Sequence, residues 1–227
     1  NEGELDSYLI EITRDILAYK DTDGVPVLDK ILDTAGQKGT GKWASVASLN
    51  EGVPLTLISE AVYARCLSAM KEERTGASKL LPGPIPGFHG DRKTFVKELQ
   101  DALYTAKIIS YAQGYDLMSA AAKTYGWTLN YGEIALMWRG GCIIRSKFLG
   151  SIKEAYDNDS GLGNLMLAPF FKKTLGQRHQ SLRNVLRAAM LNGIPVSAFA
   201  GALSYYDSYR CQRLPANLLQ AQRDYFG

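Results

Sequence analysis

Histidine and cysteine are scarce in this sequence: two and three residues among 227. Cys66, Cys142 and Cys211 stand far apart, an odd and sparse set that argues against a disulfide framework and against a zinc site. A reducing cytosol is the expected compartment. His89 follows a stretch rich in proline and glycine, and His179 lies in a polar one. Both are expected at the surface, and neither has metal-ligand company. An excess of one charge is also missing. The net charge is +3 and no long basic run occurs, so a nucleic-acid surface is not expected. Long apolar runs are missing too. The most apolar window, Val185 to Leu203, carries Arg187, Asn192 and an internal Gly-Ile-Pro. It reads as two helices meeting at a turn and not as a membrane span. The stretch from Asn1 to Tyr19 is charged throughout, unlike a signal peptide. No initiator Met stands at the start, and the closing "QAQRDYFG" still has a structured pattern. A fragment of a longer chain is therefore expected.

What is present is ordinary globular composition, 46% hydrophobic and 22% charged, enough for one large domain or two small ones. Helical periodicity dominates. "ELDSYLIEITRDILAYK" sets Leu5, Tyr8, Leu9, Ile12, Ile16 and Leu17 on one stripe. "DRKTFVKELQDALYTAKIISYAQGYDLMSAAAKTYG" predicts a long amphipathic helix opened by an Asp or its neighbours and closed near Gly126. No segment alternates with period two between hairpin turns, so the fold class is all-α. Leu80 to Gly90, "LLPGPIPGFHG", is a connector between helical groups, and Asp157 to Asn164 is a second loop.

"DTAGQKGTGKW" (Asp33 to Trp43) imitates a nucleotide-binding P-loop: Gly36, Gly41 and Lys42 have its spacing. The match fails twice. The residue after the Lys is Trp43, which has no hydroxyl for magnesium. Upstream, Val27, Leu28, Ile31 and Leu32 have helical and not strand spacing. Gly36 reads as a helix C-cap followed by a turn. A loop dense in glycine and lysine nevertheless suits phosphate, because its N–H groups are free and its charge is positive.

The sequence also resembles itself. A copy beginning at Thr34 and one beginning at Thr174 align with one inserted residue. Gly36-Gln37-Lys38 lies over Gly176-Gln177-Arg178, and Gly52-Val53-Pro54 over Gly193-Ile194-Pro195. Each copy reads as helix, glycine turn, then proline near the first turn of the next helix. Two related helical units are expected, at approximately residues 1–80 and 91–227. The first has no counterpart of the long helix, so residues upstream of Asn1 are expected. The copies differ where function could sit. Arg65 stands among Ile58, Ala61, Val62 and Ala69 on a helical wheel, with Tyr206 at its place in the second copy. An Arg on such a face is held by an internal ion pair, snorkels to the surface, or meets an anion. Trp127, Tyr131 and Trp138 read as core. "WRGG" (Trp138 to Gly141) reads as a site of close helix packing.

At this point a family resemblance is visible. "AGQKGTGKW", "GVPLTLISEAVYARCLS", "KIISYAQGY", "GWTLNYGEIALMWRGGCIIRS" and "LPANLLQAQRDYFG" resemble the helical C-terminal domain of the decarboxylating 6-phosphogluconate dehydrogenases, from about Leu5 to Gly227. The whole chain, 1–227, then reads as one substrate-binding and dimerisation domain. The resemblance implies oxidation of 6-phosphogluconate with NADP, loss of carbon dioxide from a 3-keto intermediate, and release of ribulose 5-phosphate. It implies that Lys38, Thr40 and Arg65 hold the substrate and its phosphate. It also implies a homodimer in which Arg223 reaches the partner's site. The family's lysine base and glutamate acid lie in a K-x-x-H-N-x-x-E segment that this chain lacks, so no catalytic residue is assigned to it. A cofactor-binding Rossmann domain and a tail with a substrate-contacting His are expected outside it. "GLGN" at Gly161 lacks the context of a dinucleotide fingerprint. No metal ligand is expected. The competing expectation is a helical dimerisation or interaction module without catalytic service.

Overall fold

A computed structural model describes residues 3–227. The described residues form ten α-helices: α1 Tyr8–Ala18, α2 Thr40–Asn50, α3 Thr56–Ser68, α4 Lys71–Ala77, α5 Arg92–Tyr125, α6 Tyr131–Met137, α7 Phe148–Asn158, α8 Pro169–Leu191, α9 Ser197–Tyr209 and α10 Ala216–Phe226. Among the described residues no strand forms. Two isolated bridges, Ser7 to Ser146 and Lys20 to Pro26, are the extent of β pairing. The all-α expectation holds. Among the described residues no helix is long and apolar enough to cross a membrane, and the Val185 to Leu203 window splits between α8 and α9.

The organising element is α5. Asp91 caps its start by accepting from the Thr94 N–H at 2.8 Å, and Gly126, in the left-handed region at φ +68°, closes it. At about 1.5 Å per residue, its 34 residues span about 50 Å. Ala102, Ile108, Ile109 and Ala112 of α5 are wholly buried, as are Leu149 and Ile152 of α7 and Phe171 and Leu182 of α8. Aromatic rings tie these helices: Phe148 packs on Tyr104 at 5.7 Å, on Tyr111 at 5.1 Å and on Phe171 at 5.4 Å. Tyr131 and Trp138 join this group against Tyr115. Trp127 does not. It lies past the end of α5, exposed, stacked on Tyr125.

Two helix pairs repeat one design. Gly52 after α2 and Gly193 after α8 both take φ +66°. Each closes its helix with the same two bonds. Val53 and Gly52 donate to Ser48 and Leu49, and Ile194 and Gly193 donate to Ala189 and Met190. This is the Schellman arrangement, which needs a left-handed residue that only glycine takes cheaply. The following helices, α3 and α9, have thirteen residues each. They pack on one another where Gly201 faces the Glu60 and Thr56 side chains.

The structure corrects several expectations. Val27–Lys30 makes one turn of 3₁₀ helix and no longer helix, and Leu28, Ile31 and Leu32 stay exposed. Gly36 has no left-handed angle and caps nothing; Gly39, at φ +115°, precedes α2 instead. Gly176, its partner in the alignment, lies inside α8. One string is therefore helical in the second unit and open in the first, because Thr174 and Leu175 are buried there. The glycines of "WRGG" meet no neighbour, and Gly141, at φ +69°, turns the chain. The stripe on α1 buries no residue. His89 is exposed as expected. His179 is half-buried, not at the surface, and stacks on Tyr206 with ring centroids 5.9 Å apart.

Candidate functional site

Lys38 occupies the open stretch before α2, Gly39 is the N-cap residue and Thr40 is the first helical residue. Here the backbone N–H groups of the first turn lack intrahelical partners, and the helix dipole is positive. No side chain caps this end. Gly41 is required for a different reason. A Cβ there would lie 2.7 Å from Val62 Cγ2, so glycine lets the start of α2 rest on α3.

Arg65 comes to the same place from the third turn of α3. Its Nη2 donates to the carbonyl oxygen of Gly36. The structure therefore brings the Arg65 guanidinium against the loop that carries Lys38 and Thr40. All three side chains are exposed. The apolar face around Arg65 is not closed over: Ala61 and Ala69 are exposed, and Ile58 and Val62 are half-buried. An internal carboxylate partner, one of the expected arrangements, is not what holds Arg65; it makes no ion pair among the described residues. Ile58 and Ala61, on the same face of α3, also line an apolar cleft of about 400 Å³ with α1, α5 and α9. Lys107 borders that cleft. It donates to Ser146 Oγ at 2.6 Å, and burial pulls its ammonium down to about 8.

Sequence reasoning missed what fixes the loop. Asp33 meets Lys71 at 2.5 Å and Arg74 at 3.2 Å, and Lys71 holds the Asp33 carboxyl below the usual range. Arg74 also donates to the Ser68 carbonyl at 2.9 Å. Ser68 Oγ accepts the Ala35 N–H at 2.9 Å. Residues 33–36 are thus stapled to the end of α3 and to α4. No local motif could reveal this, since the partners lie 33 and 41 residues apart.

Arg223 is not brought to this loop. It stands in the last turn of α10, a helix that buries none of its residues, and no hydrogen bond or ion pair reaches its side chain among the described residues. Neither glycine stretch has the strand–turn–helix context of a nucleotide-binding fingerprint. Thr40 is preceded by an open loop and not by a strand, and Gly161-Leu162-Gly163 leads into a 3₁₀ turn at Leu165–Leu167.

In the corresponding part of the second unit a ring stack stands where the first unit has Arg65. Tyr206 replaces Arg65, and His179 of α8 lies against it.

The model of the 6-phosphogluconate dehydrogenase C-terminal domain matches residues 1–227. The chain belongs to the 6-phosphogluconate dehydrogenase family. It is 60% identical over its full length to the decarboxylating 6-phosphogluconate dehydrogenase of Cunninghamella elegans, covering 47% of that protein. It is 58% identical to the sheep (Ovis aries) enzyme, again across the whole chain and 47% of the relative. A solved 6-phosphogluconate dehydrogenase from Plasmodium falciparum, described in apo form and with NADP+ or 6-phosphogluconate, superposes with a TM-score of 0.94 at 44% identity. It covers 100% of this chain, which covers 49% of that one. The chain thus spans about half the length of the family members it matches.

Proposed function

We propose that this chain is the substrate-binding and dimerisation domain of an NADP-dependent, decarboxylating 6-phosphogluconate dehydrogenase. The observation that carries the reading is the meeting of Arg65 with the Gly36 carbonyl, beside Lys38 and the uncapped start of α2. A phosphate dianion needs charge, donors and close backbone approach together. Arg65 offers a planar fork, Lys38 a point charge, Thr40 a hydroxyl and α2 free N–H groups. On this reading Arg223 of a second copy completes the site. Exposed apolar side chains on α10, Leu218, Leu219 and Phe226, support an assembled partner. Within the complete enzyme these residues hold the sugar acid while its C3 hydroxyl is oxidised and carbon dioxide is lost. Acid–base groups and the hydride acceptor's site are supplied by residues outside this chain. Cys66, Cys142 and Cys211 are free thiols, which supports a reducing cytoplasm as its compartment.

The test is Arg65→Ala in the complete enzyme. Binding of 6-phosphogluconate should weaken by about 2–4 kcal/mol, the scale for losing one partner of a charged hydrogen bond. Gluconate, which has no phosphate, should lose much less, and Arg65→Lys should restore only part of the affinity. Equal losses for both substrates would show that Arg65 supports the fold and does not read the phosphate.

A further inference from the structure

Helix α3 opens without a side-chain cap of its own, because its N-cap residue is Leu55. The cap comes from α5. Gln113 is wholly buried. Its Oε1 accepts the Leu57 N–H at 3.1 Å, and its Nε2 donates to Thr56 Oγ1 at 2.8 Å. A buried amide is costly unless both halves are paired, and here both are. The two partners fix the direction of the amide as well as its depth.

The same place in the second unit is built differently. Helix α9 opens at Val196 with no side-chain cap, but it is anchored by Ala202 and Tyr205 in the core. Helix α3 has only Leu57 buried among its thirteen residues. A polar clamp from the long helix therefore does for α3 what apolar burial does for α9. The base of the clamp is firm: the residues of α5 around it, Ile109, Ala112 and Tyr115, are buried.

We propose that Gln113 is a positioning residue for the anion site: its amide sets the height and rotation of α3 against α5, and thereby the place of Arg65. Nine residues of helix, about 13 Å, separate Thr56 from Arg65, and a helix of this length moves as a rod. A slip of one residue's rise at the clamp carries the guanidinium off the Gly36 carbonyl. This inference rests on the reading of Arg65 as a phosphate ligand.

The experiment uses the complete enzyme with Gln113→Met, which keeps the volume and removes both bonds, and Thr56→Val, which removes one bond and leaves Gln113 on Leu57. Each is made alone and with Arg65→Ala. Displacing a binding group by about 1 Å is costly, so Gln113→Met should raise KM for 6-phosphogluconate about tenfold and leave KM for NADP within about twofold. Thr56→Val should raise it about threefold, on the scale of one neutral hydrogen bond. On the Arg65→Ala background either change should add less than about twofold, because coupled residues are not additive. A lowered Tm with unchanged KM would overturn the inference, and so would effects that multiply fully with Arg65→Ala. Both results would make Gln113 a helix cap and nothing more. If Gln113→Met does not fold, Thr56→Val decides by the same coupling. If Arg65→Ala alone leaves KM unchanged, the phosphate reading itself falls and this inference with it.

Discussion

Residues 3–80 and 91–227 use the same helix–glycine–proline–helix design yet differ sharply in what lies beneath it. The second stretch has α5 as a floor, and nearly the whole apolar core comes from α5 to α9. In the first, Leu55 and Leu57 are the buried apolar side chains. Leu17, Trp43, Leu49 and Tyr63 face outward there, each more than half exposed. The lesson is a division of labour. The second stretch is the scaffold. The first is four lightly buried helices and an open loop, pinned to it by α3 against α9, by Gln113 and by the contact of Thr124 with Glu51 at 2.5 Å. The corners differ accordingly: Arg65 stands exposed beside an open loop in the first stretch, whereas His179 stacks on Tyr206 in the second.

The sharpest way to break that comparison is to truncate one apolar side chain on each side of it. Phe171→Ala empties a fully buried position of α8 and should cost about 3–5 kcal/mol. Leu49→Ala removes a side chain that is 78% exposed, and should cost less than about 0.5 kcal/mol. Urea unfolding of this chain measures both. Comparable losses would mean that the first stretch has a core of its own.

A second test concerns polar burial in the scaffold. Asp116 of α5 accepts from Asn164 Nδ2 at 2.7 Å and from the Tyr205 hydroxyl at 3.2 Å. Tyr209 of α9 and Tyr156 of α7 add to the field around it. No cation pairs with it among the described residues. Burial pushes its carboxyl up to about 6, against the two donors. The folded state therefore holds this proton more tightly than the unfolded chain. The stability it brings is complete below about pH 4 and is lost as pH rises through about 6. Discounted for partial exposure, the swing is about 1–2 kcal/mol. Asp21, Asp23, Asp33 and Asp91 are held below the usual range. They act in the opposite direction and at lower pH. The clean measurement is the stability difference between the native chain and Asp116→Asn at several pH values. A difference that stays constant from pH 4 to 7 would show that Asp116 does not titrate in that window.

Much of this fold was legible because its signals are local. The long helix is announced by Asp91 and ended by Gly126, and the paired turns by Gly52 and Gly193 with their following prolines. Lys38, Thr40 and Arg65 were reached through loop composition and family resemblance together, and the structure brings Arg65 to the loop. What was not legible depends on distant partners. Gly36 and Gly176 sit in similar strings, but only the second has a core to fold against. Gln113 is one amide in an apolar stretch, and its meaning lies 56 residues away at Leu57. Trp127 looked like core by composition, yet the chain has already left α5 when it arrives.

The finest probe of the comparison is the turn that both stretches share. Gly52→Ala and Gly193→Ala each force a Cβ into the left-handed region at φ +66°, at a cost of about 1 kcal/mol. The surroundings then separate them. A Cβ on Gly52 meets nothing within 4 Å, whereas one on Gly193 would lie 3.0 Å from Pro84 Cγ. That ring belongs to the connector, which is tied down again where the Gly87 N–H donates to Asn192 Oδ1 at 2.5 Å. Neither the helix end nor the strapped proline yields freely, so Gly193→Ala should cost about 1 kcal/mol more than Gly52→Ala. Paired urea midpoints at unchanged slope would read the difference. Equal losses would mean that the connector gives way, and that the second stretch is no more tightly built at its turn than the first.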